Sequence, residues 1–560
     1  MSSRRLKAQF DRLFDHFQGQ DGDTQLDVIT ELLCCTRRNA RMVLNKLEDA
    51  GWIEWQPESG RGKLSTLRFK HHRDDIASDR AKHWLDEGKM DKALESLDHD
   101  MGKLNQVLQQ YLGVQHKGGK QTLRLPYYRP LPTLNPTQPF RRSEVHIMSQ
   151  VFSGLTKLDH NEQVVGDVAH HWQQCSATHW RFYLRPNIHF HNGFTLTEEM
   201  VKDSLWRTRS FRLFAHIERI EIVADNTLDI HLSHPDHHLP RLLTEVVAKL
   251  QLPLSLQGPD YAKIPIGTGP FQVTENKSNK LTLTAFDDYF GFRPLLDQVE
   301  VWVVDDSYST IVYPSLNTLN ITPSASNDDV ALDPGSLLLM INRRSGIASR
   351  PDVAQYLSAH LNGLQLMRDL PQHKVNELGL VPAYGIKPGW MDHRADALPA
   401  TPANVDVISL AYQDKHPVLM LLAQVIKQKL QQQGIEVDLL AYDQVLEQEV
   451  DVCLKAMGMA THRQDALAAW LLDYSQLASF AIRPEFDAWQ EWVRDWQADE
   501  QGDFPGRLIG KRLIESLHVV PLFHCWLGIN QDHCGALQNT KCNALGWFDF
   551  SSVWVNPTLS

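Results

Sequence analysis

The 560-residue sequence lacks several features that would assign a compartment or a chemistry at once. Its seven cysteines are scattered and include no Cys-x-x-Cys pair, so neither a zinc ribbon nor a disulfide framework is indicated. No stretch approaches the roughly 18 apolar residues of a membrane span. The basic start is not followed by the apolar segment of an export signal. We therefore expect a cytoplasmic protein with reduced thiols and no membrane association.

Signatures of catalysis are also missing. Gly-x-Ser-x-Gly, His-Glu-x-x-His and Gly-x-Gly-x-x-Gly do not occur. The segment 60–63, Gly-Arg-Gly-Lys, fails as a phosphate-binding loop because Pro57 replaces the first glycine and Leu64 the required Ser or Thr. We expect no enzymatic activity, no catalytic residue and no cofactor.

Positive charge is scarce outside the N-terminal end. The formal net charge is −12, yet residues 1–70 contain 12 Lys and Arg against 10 Asp and Glu. The remainder contains 44 against 58. A polyanion such as DNA is therefore expected to meet the first 70 residues.

Residues 1–70 have the element order of a winged helix. Apolar residues at helical spacing predict a first helix; they are Leu6, Phe10, Leu13, Phe14 and Phe17. The segment that begins at Thr24 has the capping-box form and predicts a second helix through about Leu33. Thr36 can cap a third helix, which Gly51 ends. Two short strands around a glycine-rich tip at 56–63 then predict the wing.

The third helix and the wing supply the candidate DNA contacts. Helical geometry places one polar face of this helix opposite its buried stripe of Ala40, Val43, Leu44 and Leu47. In the major groove, Arg can recognise guanine and Asn adenine, while cations of the wing can meet phosphate. The candidate DNA-binding residues are Thr36, Arg37, Arg38, Asn39, Arg41, Met42, Asn45, Arg61 and Lys63. The structural alternative is a surface helix followed by a basic hairpin.

Two groups of histidines could suggest a metal site. His189 and His191 share one strand face, but Asn192-Gly193 indicates a β-turn and no acidic third ligand is near. The second group is His231, His234, His237 and His238, which a proline and an aspartate interrupt. We interpret it as a solvated loop, and we expect no metal at either group.

Two segments of the remaining chain resemble the family 5 extracytoplasmic solute-binding proteins of peptide and nickel transporters. In the first, residues 168–205, an aromatic strand ends in Leu184-Arg185, and Phe190-His-Asn-Gly193 then precedes a Thr-capped helix. The second, Pro265-Ile-Gly-Thr-Gly-Pro-Phe271, has a spacing that the same family uses. By this resemblance, residues 337–342 begin a second lobe and residues 519–523 return to the first.

The whole chain resembles the SgrR-type regulators of the sugar-phosphate stress response. The shared segments are Cys-Thr-Arg-Arg at 35–38, Gly-Arg-Gly-Lys at 60–63, Tyr-Tyr-Arg-Pro at 127–130, Ala-Phe-Asp-Asp-Tyr-Phe-Gly at 285–291 and Leu-Gly-Trp-Phe-Asp-Phe at 545–550. The resemblance implies a regulator that binds promoter DNA, represses its own gene and activates a neighbouring small-RNA gene. Its inducer would be a small metabolite, such as a sugar phosphate, that arises when phosphosugars accumulate.

The predicted fold is multidomain, an α+β winged helix followed by a two-lobed α/β domain like a type II periplasmic binding protein. We expect the winged helix at 1–70, a helical connector at 71–119, lobe I at 120–310, lobe II at 311–515 and a return to lobe I at 516–560. The connector is a candidate dimerisation element, so a homodimer and RNA polymerase join promoter DNA and a small molecule as candidate partners.

The candidate ligand-binding residues are Tyr128, Arg129, Asn342 and Trp547, each of which also fits a packing or hinge role. The segment after Gly458 departs from the pattern of peptide-binding relatives, which places peptide as the ligand in doubt. The alternative functions are a solute-binding component of an ABC transporter, against which the absent export segment argues, and an enzyme.

Overall fold

The computed structural model describes residues 2–58, 63–87, 89–100, 103–104, 107–108, 111–117, 119–303, 331–392, 398–528 and 536–558. The chain divides into two compact units, Met1–Tyr111 and Leu112–Ser560. None of the described helices is long and apolar enough to cross a lipid bilayer. The expected boundary between the two lobes at 310/311 lies outside the described residues.

The first unit contains the predicted winged helix. Its elements are α1 (Ser2–Phe17), β1 (Gly22–Thr24), α2 (Leu26–Leu32), α3 (Arg37–Asp49), β2 (Ile53–Gln56), β3 (Ser65–Phe69), α4 (Arg73–Asp86) and α5 (Met90–Ser96). The strands form an antiparallel sheet in the order β1-β3-β2. The predicted apolar stripe of α3 packs with Phe10 and Leu13 of α1 in the core of this unit. Burial of that stripe fixes which face of α3 remains exposed.

The start of the second helix differs from the sequence-based expectation, whereas its end, with Leu33 as the C-cap, agrees with it. Thr24 lies in β1, and Gln25 precedes α2 without a side-chain capping bond. The third helix begins as predicted, since the Thr36 hydroxyl accepts a hydrogen bond from the backbone N–H of Asn39 at 3.4 Å. Thr24 instead pairs with Ser65 across the sheet, so strand pairing replaces the local cap.

The second unit begins earlier than the expected end of the connector. Gly113–Lys117 is a strand, β4, which pairs antiparallel with β5 (Lys120–Tyr127). The connector was expected to extend through residue 119. Here backbone pairing with β5 determines the conformation of residues 113–117, and α4 and α5 belong to the first unit.

The next part of this unit is built around two sheets. Its remaining elements are α6 (Arg142–Val151), β6 (Thr156–Leu158), β7 (Val164–Gly166), β8 (Ala169–Ser176), β9 (His179–Leu184), α7 (Glu198–Thr208), β10 (Ile217–Ala224), β11 (Thr227–Leu232), α8 (Leu239–Leu242), β12 (Phe271–Asn276), β13 (Lys280–Ala285) and β14 (Gln298–Val303). One sheet has the order β12-β13-β14-β5-β4, and the other, of four antiparallel strands, has the order β10-β11-β9-β8.

A seven-stranded mixed sheet organises the rest of the unit. Its order is β15-β21-β16-β20-β18-β19, with β17 paired to β21. The elements are β15 (Ala331–Leu332), β16 (Leu337–Ile341), α9 (Pro351–His360), α10 (Gly363–Met367), α11 (Gln372–Leu378), β17 (Leu380–Pro382), β18 (Val407–Gln413), α12 (Pro417–Gln431), β19 (Glu436–Tyr442), β20 (Val452–Ala456), α13 (Leu467–Asp473), α14 (Ser475–Phe480), α15 (Arg483–Ala498), α16 (Gly506–Glu515), β21 (Val519–Leu527), β22 (Leu537–Gln538) and β23 (Trp554–Val555).

The return toward the first lobe differs from the expected position. Residues 519–523 lie in β21, where Phe523 pairs with Leu337 of β16. The segment after β21 also contacts first-lobe residues, for example at Trp547, whose ring lies 5.2 Å from that of Tyr127. A buried apolar strand such as β21 is stabilised by pairing on both edges, which the seven-stranded sheet provides.

A close approach between backbones occurs where α10 meets β21. A Cβ added at Gly363 would lie 1.8 Å from the carbonyl oxygen of Leu522, and that oxygen already accepts a hydrogen bond from Ala383 N at 3.0 Å. Only a residue without a side chain fits between the two backbones. Gly258, by contrast, faces open space.

We therefore expect Gly363→Ala to destabilise the second unit by about 1–3 kcal/mol, the usual cost of forcing atoms into a packed interior. Thermal unfolding followed by circular dichroism measures the effect, with Gly258→Ala as the matched control. Equal midpoints for the two variants would contradict the close packing of α10 against β21.

Candidate functional site

The exposed face of α3 carries the predicted DNA-binding side chains. Arg38, Arg41, Met42 and Asn45 are exposed, and the side chain of Met42 is 50% accessible. Thr36 serves as the N-cap of α3, and Asn39, the residue that it caps, is half-buried. Two guanidinium groups and one amide are therefore presented together from one surface, the combination expected of a major-groove helix.

Arg37 is engaged within the helix-turn-helix. Its Nε donates to Asp27 Oδ1 at 2.5 Å and its Nη2 donates to Asp27 Oδ2, which ties the first turn of α3 to α2. The hydrogen bond from Arg37 lowers the pKa of Asp27, and the same contact raises the pKa of Arg37. The pair is exposed, so DNA phosphates would compete with Asp27 for this guanidinium.

The wing is described on both sides of its tip. Lys63 is exposed, and its Nζ lies 3.3 Å from Glu58 Oε2 on the other side of the tip. Arg61, the second predicted cation of the wing, lies outside the described residues. Arg68 of β3 is also exposed on this hairpin.

The predicted ligand residues occupy two places in the second unit. Tyr128, Arg129 and Trp547 lie together around the end of β5, since the guanidinium of Arg129 is 5.9 Å from the ring of Tyr128. Trp547 is fully buried, and its Nε1 donates to Ser143 Oγ at 3.2 Å. Asn342 lies after β16, where its amide donates to Val450 O at 3.0 Å. Asn342 and Trp547 thus form structural bonds, and ligand contact by any of the four residues stays a prediction.

Arg129 forms a buried ion pair with the first turn of α6. Its Nη1 and Nη2 donate to the two carboxylate oxygens of Glu144 at 2.6 and 2.8 Å. The side chains of Arg129 and Glu144 are only 5% and 0% exposed. Burial lowers the pKa of Arg129, but the neighbouring Tyr127 and Glu144 outweigh burial and raise that pKa well above its ordinary value. The guanidinium is therefore permanently charged in the interior.

Sequence reasoning missed the cations that surround this pair. Arg141 and Arg142 stand at the start of α6, and Lys455 comes from β20. We call Arg129, Arg141, Arg142 and Lys455 the basic cluster. Arg141 and Arg142 follow each other directly before an amphipathic helix, which was the available sequence signal.

The basic cluster bridges the first lobe and the seven-stranded sheet. Arg141 Nη1 donates to Asp414 O at 2.9 Å, and its Nη2 donates to Asp443 Oδ1 at 2.7 Å. Arg142 Nη1 pairs with Asp333 Oδ2, while its Nη2 donates to Ala544 O at 2.8 Å. Side chains that follow β5 thus contact the loops after β18 and β19.

The arginines of the basic cluster lower the pKa values of two nearby groups, Lys455 and His416. Burial, together with the charges of Arg141 and Arg129, lowers the pKa of Lys455 to about 8. Burial, together with the charges of Arg141 and Arg129, lowers the pKa of His416, the N-cap of α12, to about 3. His416 is therefore neutral at physiological pH, and its Nδ1 accepts from Val418 N at 3.3 Å.

Three donors of the basic cluster have no partner within the described residues. They are the Nε atoms of Arg129, Arg141 and Arg142, each of which is shielded from solvent. A buried donor without an acceptor costs roughly 1–3 kcal/mol. An anion with several oxygens would satisfy such donors and offset the positive charge.

The histidine segment after β11 is not the solvated loop that the sequence indicated. Asp236 is fully buried, and it accepts hydrogen bonds from His216 Nε2 at 2.9 Å and from Gln497 Nε2 at 3.1 Å. The ring of His238 stacks on Trp496 with a centroid separation of 4.2 Å. The earlier interpretation is wrong because α15 covers this segment. At His191, by contrast, the predicted turn is present, with Gly193 N donating to Phe190 O.

Comparisons with known proteins agree with this two-part architecture. Residues 5–119 match the family described as "Sugar transport-related sRNA regulator N-term", and residues 163–312 match "Bacterial extracellular solute-binding proteins, family 5 Middle". The chain resembles two proteins named HTH-type transcriptional regulator SgrR over 100% of both lengths. It is 35% identical to the one from Pectobacterium atrosepticum and 32% identical to the one from Photorhabdus laumondii.

Solved structures resemble the second unit. The ABC transporter-associated periplasmic binding protein DppA of Helicobacter pylori, in complex with the peptide STSA, matches 78% of this chain and 98% of its own. Its TM-score is 0.62 at 15% identity. OppA of Burkholderia pseudomallei matches 78% of this chain and 100% of its own, with a TM-score of 0.60 at 16% identity. At this identity the likeness establishes the fold alone, and the periplasmic-binding-protein architecture predicted from the sequence is confirmed. Because full-length relatives above 30% identity carry both parts, the chain belongs to the SgrR family of HTH-type transcriptional regulators, which are DNA-binding proteins with a family 5 solute-binding fold.

Proposed function

We propose that this regulator senses a small anionic metabolite at the basic cluster and that occupancy changes promoter binding by the winged helix. The observation that carries the proposal is the set of three shielded arginine Nε donors without partners in the described chain. A sugar phosphate has the required chemistry, because its phosphoryl oxygens accept several charge-assisted hydrogen bonds at once. The relatives' association with sugar transport and small RNA agrees with this class of ligand.

Charge within the cluster supports an anion over a neutral sugar or a peptide. Arg129, Arg141 and Arg142 are balanced by Glu144, Asp443 and Asp333, which leaves Lys455 without an ion-pair partner in the described chain. The amine of Lys455 lies 5.0 Å from the centroid of the Tyr474 ring. Burial and the neighbouring arginines lower its pKa, and a bound anion would raise that pKa again.

The regulatory part of the proposal follows the resemblance of the whole chain. The protein acts in the cytoplasm, represses its own gene and activates a neighbouring small-RNA gene. Dimerisation through residues 71–119 and contact with RNA polymerase belong to the same proposal. The wing cation Arg61 and the α3 face would supply its DNA contacts, with Lys63 on phosphate.

Loss of a base-reading arginine tests the DNA-binding surface. Arg38→Ala should weaken binding to promoter DNA by about 1–3 kcal/mol relative to its effect on random DNA, as expected for a guanidinium that contacts a base. Lys63→Ala should weaken both DNAs alike and reduce the salt dependence, because phosphate contacts release counterions. Fluorescence anisotropy at several salt concentrations measures both quantities.

The matched control for this experiment is Arg12→Ala. Arg12 is an exposed arginine of α1, and its removal changes the net charge of the unit by the same amount. If Arg12→Ala and Arg38→Ala weaken promoter binding equally, then α3 is not the reading surface.

Binding of glucose 6-phosphate, the probe for the ligand class, should depend on pH through Lys455. Its pKa of about 8 means that the ammonium is present at lower pH and is lost as pH rises through this value. The affinity should therefore be highest near pH 7 and should fall between pH 8 and 9, with proton uptake on binding near pH 8. Isothermal titration calorimetry in two buffers of different ionisation enthalpy measures both effects.

Lys455→Met should remove this pH dependence and weaken binding by about 10-fold to 150-fold, the usual value of a charge-assisted hydrogen bond. Lys511→Met, at an exposed lysine of α16, is the control. Glucose and inorganic phosphate separate recognition of the sugar from that of the phosphoryl group. Binding that is unaffected by Lys455→Met would place the anion elsewhere.

Coupling between the two units gives the final test of the proposal. If ligand changes promoter affinity by about 5-fold to 150-fold, then promoter DNA must change ligand affinity by the same factor. Calorimetric titration of glucose 6-phosphate with and without promoter DNA measures this factor, beside a transcription assay. Binding that alters neither promoter affinity nor transcript level would reject the sensing function.

A further inference from the structure

We propose that the outer face of the four-stranded sheet holds a divalent transition metal of the zinc class, with His179, Asp229 and His231 as ligands. The inference is independent of the basic cluster, because these residues belong to β9 and β11. It also departs from the expectation that His231 lies in a loop without a metal.

The strand register brings the three side chains to one surface. Asp229 and His231 are two residues apart on β11, so they point to the same face of the sheet. His179 of β9 is the direct cross-strand partner of His231. Two donors on one strand and a third directly opposite form a compact triangle without any loop.

The distances are those of a site that could close around a metal. The three ligand atoms all lie within 4.8 Å of one another, and His179 Nε2 is 2.9 Å from Asp229 Oδ2. Two donors on a tetrahedral zinc ion are about 3.4 Å apart for bonds of 2.0–2.1 Å. The imidazole rings are stacked 4.3 Å apart at an angle of 17°, so they would have to rotate out of the stack to direct both nitrogens at one metal ion.

Both imidazole Nε2 atoms are available as ligands. They are shielded from solvent, and neither makes a hydrogen bond of acceptable geometry with the described residues. The short distance from His179 Nε2 to Asp229 does not have the direction of a hydrogen bond. Shielded polar atoms are normally satisfied, so a pair of such nitrogens beside a carboxylate requires an explanation. A metal cation at the centre of the triangle would bind both Nε2 atoms.

Neighbouring residues provide the support that metal ligands usually have. Arg181 holds Asp229 in place, with its Nε 2.7 Å from Oδ1 and its Nη2 2.8 Å from Oδ2. Hydrogen bonds of this kind, from a residue that does not itself bind the metal, orient a ligating carboxylate. Glu221 of β10 lies 3.3 Å from His231 Nε2 through its Oε2, and it can supply a fourth ligand.

The donor set selects the class of metal. Two imidazoles with one or two carboxylates suit zinc, cobalt and nickel, whereas magnesium and calcium prefer oxygen ligands alone. Asp229 and Glu221 are offset by Arg181 and Arg219, so affinity must come from coordination and not from a general negative field.

Titration of the full-length, chelator-treated protein with Zn²⁺ alone tests the site. The parent protein should bind one more equivalent of zinc than His179→Ala/His231→Ala, a variant that keeps the pair of Asp229 with Arg181. The control is His170→Ala/His171→Ala, which removes two exposed histidines of β8 in the same sheet. This control should keep the equivalent of zinc that the first variant loses.

Two further measurements separate a built site from scattered binding. Co²⁺ should give the intense visible absorption of a four-coordinate site in the parent and in the control, but not in His179→Ala/His231→Ala. Arg181→Gln should weaken zinc binding by about 10-fold to 100-fold without changing its stoichiometry. Equal zinc stoichiometry and affinity in the parent and in His179→Ala/His231→Ala would overturn the proposal.

Discussion

The ion pair between Arg129 and Glu144 is the contact on which the candidate ligand site depends. It joins the end of β5 to the first turn of α6, and both side chains are almost fully buried. Removing one partner of such a pair commonly costs 3–5 kcal/mol, since it leaves an uncompensated charge in the interior. The pair fixes the position of α6 relative to β5, and the N-terminal end of that helix in turn places Arg141 and Arg142 beside the seven-stranded sheet.

By placing Arg141 and Arg142 near Arg129, the position of α6 concentrates positive charge in one region. Nearby carboxylates offset only part of that charge. Asp443, which faces Arg141, has a side chain that is 68% exposed, so solvent screens much of its charge. The N-terminal ends of α6 and α12 add the positive ends of their helix dipoles to the same region. A neutral ligand would leave this potential unchanged, whereas an anion would lower the energy of every neighbouring cation. The proposed recognition of an anion therefore rests on how the interior is stabilised.

A feature could be predicted from the sequence where its signal lies within one short segment, but not where it requires contact between distant parts of the chain. The winged helix was predictable because its signals are local: the stripe of α3, the Thr36 cap and the turn residues of the wing. The basic cluster was not, since Arg129 and Lys455 meet only after the whole second unit has folded. The segment around Asp236 was misinterpreted for the same reason, because its cover, Gln497, is 261 residues away in the chain. The two-residue spacing of Asp229 and His231 in β11 is a local signal that they share one face of the sheet. That His179 lies opposite His231 could not be predicted, because it follows from the pairing of β9 with β11.

The charge distribution of the first unit bears on how a ligand could control it. Arg37 is paired with Asp27 and Lys63 with Glu58, so DNA must replace two internal ion pairs to recruit these cations to phosphate. Exposed pairs are worth little, so breaking them subtracts little from the free energy of the phosphate contacts. Residues 71–560 are acidic, with 44 Lys and Arg against 58 Asp and Glu, and do not add general attraction for DNA. If the proposed contacts are right, affinity for DNA then rests on a few residues of α3 and the wing. A coupling free energy of about 1–3 kcal/mol between ligand and DNA would then be a substantial part of the difference in binding free energy between promoter and random DNA. In the proposed sensing function, a modest conformational bias in the second unit would therefore change occupancy of the promoter.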